Sequence, residues 1–297
     1  LLFSPLQIIV KGAIYFKDLE LISAISPFAI LNAFIINTIN CIWLPFRTVA
    51  QNRDLFFALL KRDFTNRTSG TGLGAFWLLA QPALQVVAFW FLLDVILRVR
   101  FPGNVSFLDY FLIGMIPWVC LSEVMQRSVR LYGEFASIFK KTPFPLELLP
   151  LLSITIAVTI YTPIYLIVAF ILYDFSVIFP ALIVMIIIFL WLIPIVYLFS
   201  ILGLFIRDFA QVVPFILTMS MYVTPILYMP QMIPEEYQFY LAFNPFADLI
   251  ALFHSLVENK QLPETGITLR ILLEWLLLLA PAWWMFNRAK KHIREAV

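Results

Sequence analysis

The chain has 297 residues, of which 62% are hydrophobic and 13% charged, with a net charge of +2. A soluble domain averages about 45–50% apolar and about 25% charged residues, so this chain carries more apolar surface than one globular core hides, and lipid must solvate it. The small net charge, with no basic stripe away from apolar segments, excludes a nucleic-acid binder, and the length leaves no room for a large soluble domain beside several spans of roughly 20 residues. A single polytopic, all-α membrane protein is expected.

Residues 1–45 form an N-terminal extension. Residues 21–44 are long enough to cross a bilayer, yet they contain Pro27, Asn32, Asn37 and Asn40. An unpaired amide in lipid costs several kcal/mol. Two readings fit: an additional membrane helix, or a helix lying in the interface or packed on the bundle.

Residues 46–70 follow as an amphipathic cytoplasmic interface helix. Leu55, Phe56, Leu59, Leu60 and Phe64 recur at helical spacing with charges between them, which places the apolar face toward lipid. A plain anchor and a helix that receives force from a cytoplasmic partner are both compatible with that pattern.

Residues 71–297 carry six apolar stretches, at 74–97, 107–125, 150–173, 177–206, 209–229 and 267–287. Each can cross a hydrocarbon core of about 30 Å. Pro82, Pro163, Pro180, Pro194, Pro214 and Pro225 fall inside them, as bundled membrane helices allow where neighbours satisfy the freed backbone. With the segment before the first stretch inside, Lys and Arg divide fourteen to the cytoplasm against Arg98, Arg100, Lys260 and Arg270 outside. That bias sets the orientation and puts the C-terminus in the cytoplasm.

The outer loop 230–266 is the longest between stretches, and its apolar segments around 240–246 and 249–256 suggest short helices dipping into the outer interface. Cys41 and Cys120 each sit in an apolar run and read as buried, inert thiols. His254 and His292 lie far apart with no ligand set beside them, so no metal site is expected. Ionisable groups at membrane depth are Asp94, Glu123 and Glu274, with Arg127 one turn beyond Glu123. Glu123 and Arg127 have the i,i+4 spacing of a helix ion pair, either structural or able to steer a headgroup through Arg127. Arg207 and Asp208 occupy a very short inner turn, as a topological anchor or a point of conformational coupling.

Several ordered motifs carry a family resemblance. Lys61-Arg-Asp-Phe-Thr-Asn-Arg67, followed by Gly72-Leu-Gly-Ala-Phe-Trp-Leu-Leu-Ala-Gln-Pro82, resembles the start of ABC exporter permeases that move polysaccharides or polyol phosphates. Gly114-Met-Ile-Pro-Trp118, Lys140-Lys-Thr-Pro-Phe-Pro-Leu-Glu-Leu-Leu-Pro150, Arg207-Asp208, Thr224-Pro-Ile-Leu-Tyr228 and Asn244-Pro245 continue the likeness in order, over residues 47–297. Thr68 departs from the family, which usually has an aromatic residue there, generally Tyr. The first 45 residues lie outside the resemblance.

The resemblance implies a six-helix transmembrane bundle with an interface helix and outer re-entrant gate helices, in the cytoplasmic (inner) membrane of a bacterium. It implies export of a lipid-linked polysaccharide such as O-antigen, teichoic acid or a capsule-like polymer, by two copies of the chain paired with two ATPase subunits. The chain has no GxxxxGK[ST] loop, so it is not catalytic by itself, and a partner would bind ATP and Mg; no cofactor is expected on this chain.

Arg53, Lys61, Arg62, Arg67, Arg130, Lys140 and Lys141 are the candidate ATPase-coupling residues. Because the family lines its conduit with the first and fifth spans, Trp77, Phe89, Trp90, Phe215 and Tyr222 are the candidate conduit residues. Ordinary packing and the interfacial preference of Trp and Tyr compete for each. A permease for a smaller amphiphile or drug is the alternative. A membrane glycosyl- or lipid-modifying enzyme would need an acidic catalytic or metal-binding cluster, and no loop holds a DxD-like pair, while a secondary transporter would need an inverted repeat and more intramembrane carboxylates.

Overall fold

The computed structural model describes residues 27–68, 76–102, 105–139 and 144–293 and contains no strand among them. In chain order the helices are α1 (Pro27–Gln51), α2 (Arg53–Thr68), α3 (Phe76–Trp90), α4 (Phe107–Ser128), the single turns α5 (Leu131–Glu134) and α6 (Ala136–Phe139), α7 (Leu148–Leu172), α8 (Ile178–Phe205), α9 (Phe209–Val223), the turn α10 (Glu235–Gln238), α11 (Pro245–Val257) and α12 (Thr265–Lys290).

Long apolar runs give long helices. Four of them, α4, α7, α8 with its leading 3-10 turn, and α12, are long and apolar enough to cross a membrane. The two remaining apolar stretches are shorter than the sequence suggests. α3 gives way at Phe91–Ile96 to a π-helical turn. α9 has 15 residues, about 22 Å of helix, against an expected run to residue 229. It ends because Thr224 turns to an extended backbone (φ −84°, ψ 137°), the geometry that a following proline imposes.

α8 is the central helix and packs on α4, α7 and α12. Val184, Ile188, Leu192 and Tyr197 of α8 are fully buried, with Phe111 of α4 and Tyr165 of α7 beside them. Two of the buried tyrosines spend their hydroxyls on backbone carbonyls, as an apolar interior favours. Tyr197 donates to Glu147 at 2.6 Å, and Tyr110 to Pro225 at 2.9 Å. At the end of α8 the main chains almost touch, since a Cβ at Gly203 would stand 2.0 Å from the Val129 carbonyl oxygen.

The described part of residues 21–44 is helical from Pro27, and α1 lies along α12. Cys41 is buried, while Ile35, Ile36, Ile39 and Trp43 are exposed. Cys120 is likewise buried, and both thiols are free.

In the outer loop two helical segments, 235–243 and α11, meet at 98°. Asn244 makes the corner. Its side chain caps α11 by accepting from Phe246 N, and Pro245 occupies the first turn, where a missing N–H is harmless. Its amide donates to Thr224 Oγ1 at 3.0 Å, which ties the corner to the end of α9. Where short re-entrant helices are expected the chain forms this bent pair, with α11 packed against α4, α8 and α12.

The charged groups assemble at two ends. Arg67, Arg127 and Lys290 pair at the end the sequence assigns to the cytoplasm, while Arg270 with Asp248 and Lys260 with Asp174 pair at the other. Outside the spans, the Asp174 carboxyl is held below the usual range by hydrogen bonds from the Ser176 hydroxyl and backbone N–H.

Candidate functional site

α2 positions the site. Its residues Phe56, Leu59 and Asp63 are buried, and the helix packs on α7. The expected apolar face toward lipid is therefore corrected: much of it turns onto the bundle, and it is Phe57 that stays exposed, at 65%. Phe56 and Leu59 find apolar partners there, and Asp63 on the same buried face takes cationic ones.

Those partners build a network across three helices. Arg67 Nε donates to Asp63 at 3.2 Å, and Arg67 Nη1 donates to Glu123 Oε1 of α4 at 2.6 Å. Tyr161 of α7 donates to the other Glu123 oxygen at 2.8 Å. Arg127 donates through Nη2 to Asp63 and faces Glu134 at 3.6 Å. Glu123 and Arg127 accordingly do not form the intrahelical pair that their spacing suggests; α2 supplies each with a closer partner of opposite charge.

The network walls a cavity of about 690 Å³. Arg62 of α2, Gln85 of α3, Gln126 and Arg130 at the end of α4, and Pro214 of α9 also line it. The vestibule thus opens among the helices derived from the first, second, third and fifth apolar stretches.

The conduit candidates fall in two groups. Phe215 and Tyr222 are 64% and 49% exposed, on the face of α9 opposite its buried residues Val213, Leu217 and Met221. Phe89 is half-buried against Phe111 at 6.3 Å between ring centroids. Trp90 donates its indole N–H to Asp94 at 3.0 Å, which gives each polar group a partner. The side chain of Trp77 lies outside the described residues. Among the described residues no ring contact joins the α3 pair to the α9 pair.

Of the ATPase-coupling candidates, Arg53, Lys61, Arg62 and Arg130 are exposed. Arg67 is committed to the internal network instead. Lys140 and Lys141 lie outside the described residues. Arg207 and Asp208 are exposed between α8 and α9, and Arg207 shares with Arg130 a second cavity of about 550 Å³. Asp63 and Tyr161 were not singled out by sequence. The i,i+4 spacing of Asp63 to Arg67 was a readable signal, but Tyr161 gave none.

Comparison with known proteins fits this architecture. Residues 54–256 match the ABC-2 type transporter family. The chain is 28% identical over 256 residues to the O-antigen export system permease protein RfbA of Klebsiella pneumoniae, covering 82% of this chain and 94% of that protein. The RfbA protein of Myxococcus xanthus is 22% identical over 260 residues, covering 84% of this chain and 98% of the relative. The polysialic acid transport protein KpsM of Escherichia coli is 22% identical over 222 residues, covering 72% and 85%. The family match runs from α2 through α11 and so takes in the vestibule and the bent outer pair: this is a multi-pass membrane protein that belongs to the ABC-2 type transporter family.

Proposed function

We propose that the chain is the transmembrane subunit of an ATP-driven exporter that moves lipid-linked polysaccharide across the cytoplasmic membrane of a bacterium. The observation that carries this reading is near full-length similarity to permeases of O-antigen export, over 82% of the chain. A separate cytoplasmic ATPase binds ATP and Mg and docks on the exposed cations Arg53, Lys61, Arg62 and Arg130, together with Lys140 and Lys141. α3 and α9 complete six spans despite their length, and the bent outer pair serves as the exit gate.

The conduit forms where two copies of the chain meet. Support comes from the one-sided packing of α3 and α9. Leu84, Val87 and Phe91 on one, and Phe215, Met219 and Tyr222 on the other, are all exposed. Lipid alone accommodates such faces, but these two helices also flank the polar vestibule, as the walls of a sugar path must. Aromatic faces there pack against sugar C–H groups without fixing one hydrogen-bond register, so a polymer can slide.

The test is co-purification of the chain with the ATPase encoded beside it, followed by ATP turnover with and without lipid-linked glycan. A stable complex whose turnover responds to glycan is expected. Absence of any ATPase partner removes the proposal.

A further inference from the structure

α11 of the bent outer pair is held on two sides by ionisable groups. On one side Asp248 pairs with Arg270 of α12 at 3.0 Å, and Glu274 stands beside both. On the other, His254 lies flat on Tyr110 of α4, with ring centroids 3.8 Å apart and planes 9° from parallel. Its side chain is only 8% exposed, and its Nδ1 stands 2.8 Å from Glu258 Oε1, one turn on. Nε2 is buried and has no hydrogen-bond partner among the described residues. It lies against α4, 3.2 Å from where a Cβ on Gly114 would stand, and the Cγ2 methyls of Ile226 and Ile250 are 3.5 and 3.6 Å from the same point.

This geometry places the proton of a neutral ring. On Nε2 it would be a buried donor without an acceptor, and the Nδ1 lone pair would face the Glu258 carboxylate. The proton therefore sits on Nδ1 and is donated to Glu258, and a second proton must go to Nε2. The attraction of the resulting imidazolium to Glu258 lies within α11, four residues apart, and persists whether or not the helix is seated on α4. What seating adds is the burial of an Nε2–H that nothing accepts. Seating also brings Asp109 of α4, Tyr165 of α7 and Tyr173 to face Glu258, and Tyr228 faces Tyr110. Asp109 is partly exposed, so water screens its pull on the ring. α8 brings no ionisable group here, since its Tyr197 is bonded to Glu147, and Tyr240 in the segment before α11 is exposed.

We propose that His254 is a proton-sensitive latch for the outer pair: with Nε2 bare, α11 stays seated on α4, and a proton on Nε2 releases it. The seated state binds fewer protons than the released one, so seating weakens as pH falls through the range in which histidines change charge, about pH 5–8. The inference rests on the reading of the outer pair as an exit gate only for its consequence, that acid on the outer face loosens the gate. The release itself is a property of this chain alone.

The test is hydrogen exchange on the full chain in phosphatidylcholine nanodiscs at about pH 7.5 and about pH 5.5, on either side of the usual histidine range. Rates are expressed as protection factors, so that the intrinsic pH dependence of exchange cancels. Protection over 245–257 is expected to fall on the order of tenfold at the lower pH, the weight of one unsatisfied buried donor, while α7 changes little. Equal protection at the two values, or greater protection at the lower one, overturns the proposal. His254→Gln cannot take the proton and should hold the same protection at both; a fall as large as in wild type would put the source in the carboxylates and overturns it too. Because His254→Gln can unseat the helix by itself, the wild-type fall is also followed across pH beside the ring-proton titration of His254 by nuclear magnetic resonance. The chain has two histidines, and His292→Gln leaves His254 alone. A fall that tracks this titration supports the latch, and one that sets in only where carboxylates titrate overturns it.

The ratio of glycan-stimulated to basal ATP turnover in the complex is scored separately, at the same two pH values, for wild type and His254→Gln. Release of α11 without any change in that ratio keeps the latch and removes the gate. An α11 indifferent to pH, in a complex that still responds to glycan, removes the latch and leaves the export reading standing.

Discussion

Arg67 Nη1 of α2 donates to Glu123 Oε1 of α4 at 2.6 Å, with the two side chains 19% and 30% exposed. This bond joins α2 to α4, a helix long and apolar enough to cross a membrane, and Tyr161 carries the tie on to α7. Any displacement of α2 must move α4 and α7 with it or break a partly buried charge pair.

Breaking the pair should therefore be costly and distinctive. Arg67→Ala leaves Glu123 with only Tyr161 and should cost about 1–3 kcal/mol, below the 3–5 kcal/mol typical of a fully buried pair. A thermal melt in detergent reads the loss. The exchange Arg67→Glu with Glu123→Arg should recover part of it; a double variant no more stable than the sum of the singles would mean that the pair contributes no coupling.

Glycine marks a second constraint. A Cβ at Gly203 would stand 2.0 Å from the Val129 carbonyl oxygen and 2.5 Å from its Cγ1. Backbone cannot yield that far without separating α8 from the end of α4. Gly203→Ala should destabilise by about 3 kcal/mol or more, in the range of severe overpacking. Gly266, in the first turn of α12, has nothing within 4 Å of its Cβ direction. Gly266→Ala should be neutral or stabilising by up to about 1 kcal/mol. Comparable yields and melting points for the two variants would refute the packing at Gly203.

The bent outer pair depends on its corner. Asn244 caps α11 and also binds Thr224, while His254 stacks on Tyr110 at 3.8 Å and comes within 3.2 Å of where a Cβ on Gly114 would lie. Asn244→Ala removes the cap and the tie together and should cost about 1–2 kcal/mol. The expected signature is faster protease cleavage in the loop 230–244, with the melting of the bundle little changed. Unaltered cleavage would place the hinge elsewhere.

The helices and their order were legible because continuous apolar runs such as 178–205 allow few other structures in lipid. The end of α9 was legible in principle from Pro225, yet an apolar run extended past it to Met229. At the vestibule, sequence spacing brought Glu123 and Arg127 to notice but paired them with each other. Their actual partners come from α2, more than 50 residues away in the chain. Only the fold of α2 onto α7 reveals this, since Asp63 between Arg62 and Phe64 looks like one more surface charge. Trp90 with Asp94, four residues apart on one strand of helix, is the converse case, a local pair that periodicity could supply.

The aromatic face of α9 gives the most direct test of the proposed conduit. Phe215 and Tyr222 are exposed, seven residues apart on one side of the helix, and neither is part of the buried core. Replacing both with Ala therefore removes no core packing within one copy of the chain. If the face only meets lipid, the double variant should assemble, melt and hydrolyse ATP as wild type does, with the same response to glycan. If it lines the sugar path, assembly and basal ATP turnover should persist while stimulation by lipid-linked glycan falls several-fold, because each stacking surface lost weakens the hold on the polymer. Phe179, more exposed at 70% on α8, supplies the control. Phe179→Ala should leave stimulation intact, and an equal loss there would show that exposed aromatic area in general, and not the α9 face, sets the response.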